Sequence, residues 1–172
     1  MKNYIKSVVA LTVICSVIAV LLAITNSITA PIVEESIKRD TQKALAEVLP
    51  DGKNFEAIDY GSENLSPTII EAYSEDNGGY VFKLQTKGYA SGLTIMCGIN
   101  KDGMLVGAKC IASNETNGAE ANYGENFKNK NYDNVSQVDT VAGSTLTTKA
   151  YKNAIMDAIS AFQILSNTKG DS

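Results

Sequence analysis

Between Ser7 and Val33 the chain carries no charged side chain, and residues 8–24 are mostly Val, Ala, Leu and Ile. A helix rises about 1.5 Å per residue and needs about 20 residues to cross a hydrocarbon core of roughly 30 Å. The pattern therefore predicts a membrane-spanning helix at about residues 5–27. A cleaved signal peptide would have a shorter apolar core and a small-x-small cleavage site. Here the run is long, and Ile28, Thr29 and Ala30 are followed by Pro31, so an uncleaved anchor is expected. Lys2 and Lys6 precede the span, whereas Glu34 and Glu35 follow it. Cationic flanks stay inside, which puts the N-terminus in the cytoplasm and the rest of the chain outside the cell membrane. The expected organisation is an anchor at residues 1–33 and one extracytoplasmic domain at residues 34–172.

Beyond Pro31, residues 34–49 read as an amphipathic helix burying Ile37, Ala44, Leu45, Val48 and Leu49. Its acidic first turn suits a helix N-terminus, and Pro50-Asp51-Gly52 is a stop signal. Residues 55–70 give only a weak strand and a loop near Pro67. Residues 69–73 and 80–84 flank Asp76-Asn77-Gly78-Gly79, and residues 93–99 and 104–111 flank Asn100-Lys101-Asp102-Gly103. Both are hairpin patterns, so a four-strand meander follows. Gly88, Gly92, Gly98 and Gly107 interrupt or flank these strands, as bulges or places of close backbone approach do. A long polar loop at 112–134, with Phe127 and Tyr132 as its apolar anchors, leads to a helix at about 147–165. There Ala150, Ala154, Ile155, Ala158, Ile159, Phe162 and Leu165 recur at helical spacing. The fold class is α+β: a transmembrane helix, then an antiparallel sheet with packed helices, whose strand order the pattern leaves open.

With 44% apolar and 20% charged residues, one buried core is expected. The whole chain carries −4 at pH 7, and two of its 15 basic residues precede the span, so the remainder is more acidic still. Such a domain gives no reason to expect nucleic acid. The absence of histidine and of a Cys-x-x-Cys pair leaves transition-metal sites, haem ligation and histidine acid-base catalysis without support. Cys15 lies in the span. Cys97 and Cys110 fall on adjacent strands, either as small buried apolar residues or as a disulfide in that oxidising compartment.

One stretch points to chemistry. Residues 139–148 read Asp-Thr-Val-Ala-Gly-Ser-Thr-Leu-Thr-Thr, placing Gly143, Ser144, Thr145, Leu146, Thr147 and Thr148 at the start of the last helix. Free amide N–H groups and the helix dipole suit such a place to a phosphate. By residue chemistry alone the segment reads first as an ordinary helix cap, and a phosphate site needs corroboration.

This segment resembles the flavinylation motif of the FMN-binding domains in the Rnf and Na⁺-translocating NADH:quinone reductase complexes. That motif runs Asp, two variable residues, Ser or Thr, Gly, Ala, Thr. Asp139, Gly143 and Thr145 match in register, and Ala142 and Ser144 are small residues in place of small ones. A second match lies upstream. Lys87-Gly88-Tyr89 onward to Glu115, Thr116 and Gly118 resembles the family's strands leading to a Glu-Thr-Pro-Gly-Leu-Gly loop. Here Asn117 replaces the Pro, and Ala119 and Glu120 replace the final Leu-Gly. The resemblance covers about residues 5–165, and the single anchor and short chain look more like the G subunit of Rnf than its longer quinone-reductase counterpart.

The resemblance implies one FMN joined by a phosphoester to Thr145, installed from FAD by a separate Mg²⁺-dependent flavin transferase. It also implies that Asp139 is needed for that modification. Thr147 and Thr148 would hydrogen-bond the phosphate oxygens. The implied function is electron transfer in an ion-translocating ferredoxin:NAD⁺ oxidoreductase, with the other membrane subunits and membrane lipid as partners. A domain outside the cytoplasm has no FMN pool to rebind from, which gives a covalent tether its physical reason. No Gly-x-Gly-x-x-Gly occurs, so no NADH site is expected here. A span without ionisable groups would not line the ion route. Two other readings stand beside this one: a stand-alone membrane-anchored flavoprotein for extracellular electron transfer, and a cofactor-free membrane-anchored binding module.

Overall fold

The computed structural model divides the chain into two compact units, residues 1–42 and 43–172. It describes the backbone of residues 2–61 and 64–170, and the side chains of residues 6, 8, 9, 11–27, 29, 39–61 and 64–168.

Helix α1 (Lys2–Val48) makes up the first unit and continues into the second. Its backbone is helical straight through Pro31, which corrects the expectation that this proline separates the apolar run from a second helix. A proline removes a single ladder donor and costs roughly 3 kcal/mol. Helix propagation on both sides outweighs such an interruption in a helix of 47 residues. Val8, Val9, Leu11, Val13, Ile14, Val17, Ile18, Val20, Leu21, Leu22 and Ile24 are each more than half exposed. Thr12, Thr25, Ser27 and Thr29 donate their hydroxyls to carbonyls four residues earlier. Among the described residues no helix is long and apolar enough to cross a membrane. The expected span at 5–27 includes Ile5, Ser7 and Ala10, whose side chains lie outside the described residues. The unbroken described run, 11–27, is shorter than the roughly 20 residues a span needs.

The second unit is built on one antiparallel sheet of β1 (Glu56–Ala57), β2 (Ile69–Ser74), β3 (Tyr80–Lys87), β4 (Ser91–Ile99) and β5 (Leu105–Ala112), in sequential order. Both expected hairpins form, because each turn is held by a side chain. Glu75 accepts the N–H groups of Asn77 and Gly79 at 2.8 Å, and Asn100 Oδ1 accepts those of Asp102 and Met104 at 3.1 and 3.0 Å. Alternation then sorts side chains onto two covered faces. Tyr80, Phe82, Leu84, Ile95 and Cys97 join the main core with Tyr151, Ile155 and Ile159 of α3 (Thr145–Gly170). Val81 and Met96 face Leu45, Val48 and Leu49 instead.

Gly98 and Gly107 lie opposite each other in β4 and β5. A Cβ on either would meet Val48 backbone, 2.9 Å from its carbonyl carbon at Gly98 and 3.0 Å from its oxygen at Gly107. These glycines therefore admit the end of α1 onto the sheet, the close approach their pattern suggested. The same register sets Cys97 opposite Ala108 and Cys110 opposite Ile95. The two cysteines are thus diagonal neighbours, about 7–8 Å apart in such a ladder and beyond disulfide reach. Both are free thiols.

The long polar loop is more ordered than its composition suggested. It contains α2 (Glu120–Tyr123) and a 3₁₀ turn at Gly124–Phe127, and a second 3₁₀ turn, Val135–Gln137, follows it. Backbone bonds between Leu105 and residues 129 and 130, each 2.8 Å, pin it against β5. Phe127 anchors it as expected, stacked on Tyr151 and edge-on to Tyr123, with centroids 5.8 and 5.2 Å away. Tyr132 does not: it is 60% exposed, and the buried Tyr123 takes its place.

Candidate functional site

Helix α3 begins at Thr145, two residues earlier than its apolar periodicity indicated. Gly143, at φ +81°, turns the chain into it, and Ser144 N–H closes that turn on Val141 C=O at 3.0 Å. Thr148 N–H makes the first helical bond, 2.9 Å to Ser144 C=O. The N–H groups of Thr145, Leu146 and Thr147 therefore lie ahead of the ladder, where a helix has no acceptors for its own donors. The positive end of the helix dipole coincides with them.

The hydroxyls along this turn have separate fates. Thr148 is fully buried; its hydroxyl accepts from Val141 N–H at 3.1 Å and donates to Ser144 C=O at 2.9 Å. Thr147 donates to Glu115 Oε2 at 2.7 Å. Both hydroxyl protons are thus engaged inside the protein, so an anion here would be met by backbone N–H groups. Thr145 is exposed, and its hydroxyl makes only a long 3.4 Å contact to Val141 C=O.

Glu115 ties three elements together. One oxygen takes the Thr147 hydroxyl, and the other accepts Ala90 N–H, at the turn between β3 and β4, at 3.0 Å. Gly88 makes this possible. A Cβ there would fall within van der Waals distance of Glu115 Oε1 and 2.9 Å from Thr147 Cα. Because the helix backbone cannot give way cheaply, Gly88→Ala is expected to cost about 1–3 kcal/mol. A urea-denaturation midpoint equal to wild type would show that the clamp is slack. Asn117 completes the rim, donating to Gly143 C=O at 3.0 Å.

Between these groups lies a cavity of about 500 Å³, within the range of small-molecule sites. Of the expected residues it gathers Glu115, Thr116, Gly143, Ser144, Thr145, Leu146 and Thr147. Thr148, Gly118 and Asp139 are outside its lining. The Asp139 side chain is exposed, while its backbone oxygen accepts the Tyr123 hydroxyl at 2.8 Å. Burial, then the Asp139 charge, pushes the Tyr123 hydroxyl up from its ordinary pKa. Three lining residues were not foreseen: Tyr89, Asn117 and Glu120. Tyr89 is 74% exposed, which leaves a large aromatic surface at the mouth. Its place after a Lys-Gly turn was the available signal.

Glu120 is only 5% exposed. Oε1 accepts the Ser113 hydroxyl at 2.8 Å, while Oε2 is buried with no partner in the structure. A buried acceptor left unpaired costs about 1–3 kcal/mol. Burial and then the Glu120 charge raise the Cys110 thiol, and burial pushes Cys97 up to about 12. Neither cysteine is a thiolate nucleophile at neutral pH. No group of three or more His, Cys, Asp or Glu suited to a metal ion gathers among the described residues.

A cavity of ligand size, an anion-receiving helix start, an exposed hydroxyl and aromatic surface suit a phosphate-bearing planar cofactor such as FMN. Residues 88–160 match the family described as FMN-binding domain, and residues 1–48 match the RnfG N-terminal region. The chain is 31% identical to the G subunit of the Na⁺-translocating ferredoxin:NAD⁺ oxidoreductase complex of Acetobacterium woodii, covering 91% of this chain and 90% of that one. It is 24% identical to the G subunit of the proton-translocating ferredoxin:NAD⁺ oxidoreductase complex of Clostridium ljungdahlii, covering 87% and 86%. It is 26% identical to the G subunit of the ion-translocating oxidoreductase complex of Methanosarcina acetivorans, covering 92% and 94%. The protein is therefore of the FMN-binding class. Within that class, the chain belongs to the G-subunit family of Rnf-type ion-translocating oxidoreductase complexes.

Proposed function

We propose that FMN is carried in the cavity at the start of α3, joined through its phosphate to Thr145 Oγ1, in a domain that residues 5–27 anchor in the cell membrane. The activity served is electron transfer in an ion-translocating ferredoxin:NAD⁺ oxidoreductase, of which this chain is a subunit. The observation that carries the attachment is the contrast among hydroxyls. Thr145 is exposed at the cavity with one long contact, whereas Thr147 and Thr148 are engaged. Attachment from FAD forms a bond from Thr145 Oγ1 to the flavin phosphorus and breaks the diphosphate bond. AMP leaves, and the hydroxyl proton is lost.

When bound, FMN supplies one- and two-electron chemistry. The residues of this chain hold its phosphate and shape its surroundings. The free N–H groups of Thr145, Leu146 and Thr147 would donate to the phosphate oxygens. Tyr89 and Leu146, 74% and 64% exposed, offer apolar surface to a ring. Glu115 keeps the helix start in place against the β3–β4 turn.

The anchor is supported by the apolar side chains exposed along α1 and by hydroxyls that bond back to their own helix. In lipid, polar groups must be satisfied in this internal way. Lys2 and Lys6 set the N-terminus inside and the flavin domain outside. Maturation then requires a flavin transferase there, and the electrons pass to and from other membrane subunits of the complex.

Fluorescence of the denatured band under ultraviolet light, with intact mass, tests the reading. A dark wild-type band from cells that contain the transferase sinks it. Asp139→Ala is expected to lower flavin incorporation severely with an unchanged far-ultraviolet circular dichroism spectrum, because the side chain is exposed. A fully flavinylated variant would remove Asp139 from the maturation step.

A further inference from the structure

The segment that carries Asp139 is fastened on both sides of that residue by side chains from distant elements. Lys152, partly buried on α3 and about two turns beyond Thr145, donates its ammonium to Val138 C=O at 3.1 Å and to Ser136 C=O at 3.4 Å. The Tyr123 hydroxyl donates to Asp139 C=O at 2.8 Å, and Val141 N–H donates to the Thr148 hydroxyl at 3.1 Å. Val138 is thus level with Lys152 and Val141 with Thr148, so the segment runs back along α3 toward the helix start. Between these ties the Asp139 side chain is exposed, and its carboxylate makes no hydrogen bond among the described residues. A pinned backbone under a free carboxylate suits presentation to a partner rather than support of the fold. Lys152 makes the charge-assisted bonds of the set, the stronger kind. Its bonds are also the ones in this set that hold the chain ahead of Asp139.

We propose that Lys152 is a positioning residue for flavinylation: by holding Ser136 and Val138 against α3, it fixes the Asp139 carboxylate relative to the Thr145 hydroxyl, so that a transferase can engage both together. The inference rests on the reading that Thr145 is flavinylated and that Asp139 is required for it. Lys152 is outside the cavity lining, so it acts through the segment and not on the reacting atoms. The transfer itself is unchanged: Thr145 Oγ1 bonds the flavin phosphorus, and AMP and the hydroxyl proton leave. Misplacing a required group by about 1 Å can cost about 100-fold in rate, so a modest slackening ahead of Asp139 is enough to matter.

The test uses full-length protein made without the transferase, then incubated with purified transferase, FAD and Mg²⁺, with intact mass read over time. Lys152→Met is expected to slow flavin incorporation at least about tenfold. Lys152→Arg should restore most of the rate, because a guanidinium can donate to both carbonyls. Lys128→Met, an exposed lysine elsewhere in the second unit, controls for loss of charge and should match wild type. Should Lys152→Met fail to fold, Lys152→Gln, which keeps a shorter neutral donor, carries the same comparison. Hydrogen exchange in the slowed variant should quicken at residues 136–141 and stay at the wild-type level in the sheet. Faster exchange throughout would mean that Lys152 only supports the fold, and overturns the proposal. A wild-type incorporation rate in Lys152→Met overturns it as well. Wild-type protein that gains no flavin mass would overturn this inference and the flavin reading together. A flavinylated wild type, a poorly flavinylated Asp139→Ala and an unslowed Lys152→Met overturn this one alone.

Discussion

Thr145→Ala is expected to abolish covalent flavin completely: the protein mass falls to that of the bare chain and the fluorescent band disappears. Thr147 and Thr148 should not take its place. Thr147 is held by Glu115 and Thr148 is buried against Ser144. The loss should be chemical only, since Thr145 is exposed and gives up just a 3.4 Å contact. Exposed substitutions of this kind change stability by about 0.5 kcal/mol or less. Residual flavin mass in Thr145→Ala would move the attachment to another residue. A large fall in the unfolding midpoint would mean that Thr145 braces the helix start.

Phe127→Ala should produce the largest loss of stability. Phe127 is fully buried, stacked on Tyr151 and edge-on to Tyr123. It is also the last residue of the 3₁₀ turn that lies against β5. Deleting a buried aromatic side chain costs about 3–5 kcal/mol, and a domain of ordinary stability has about 5–15 kcal/mol in all. Chemical denaturation of the full-length protein should show it, with flattened near-ultraviolet dichroism from the freed tyrosines. Tyr132→Ala, in the same loop but 60% exposed, is the matched control and should stay near wild type. A loss below about 1 kcal/mol in Phe127→Ala would mean that the loop is not part of the core.

The two outcomes separate the chemistry of the helix start from the packing that supports it. Glu115 joins them, because its two hydrogen bonds attach the loop after β5 both to Ala90 and to α3. A loosened loop should therefore lower the yield of flavinylation even where Thr145 is intact.

Much of this architecture was legible along the chain. Asn-Gly and Asp-Gly turns between β-rich runs announced both hairpins, because local backbone preferences decide turns. Apolar residues at helical spacing announced α3, because one face must be buried. The misreadings share a cause. Pro31 looked like a stop, yet the helix ladder on either side carries through it. Tyr132 and Tyr123 are both tyrosines in a polar loop, and only packing against Phe127 and Tyr151 separates them.

By itself the sequence determined the elements, their order, the apolar N-terminal stretch and the hydroxyl-rich helix start, since each depends on residues near one another in the chain. The tertiary structure decided that the Thr147 hydroxyl is engaged while Thr145 is exposed, how Glu115 joins the β3–β4 turn to α3, and that Glu120 stands buried with one oxygen unpaired. Those outcomes depend on partners brought together from distant segments, and burial is a property of the assembled fold rather than of any stretch of chain.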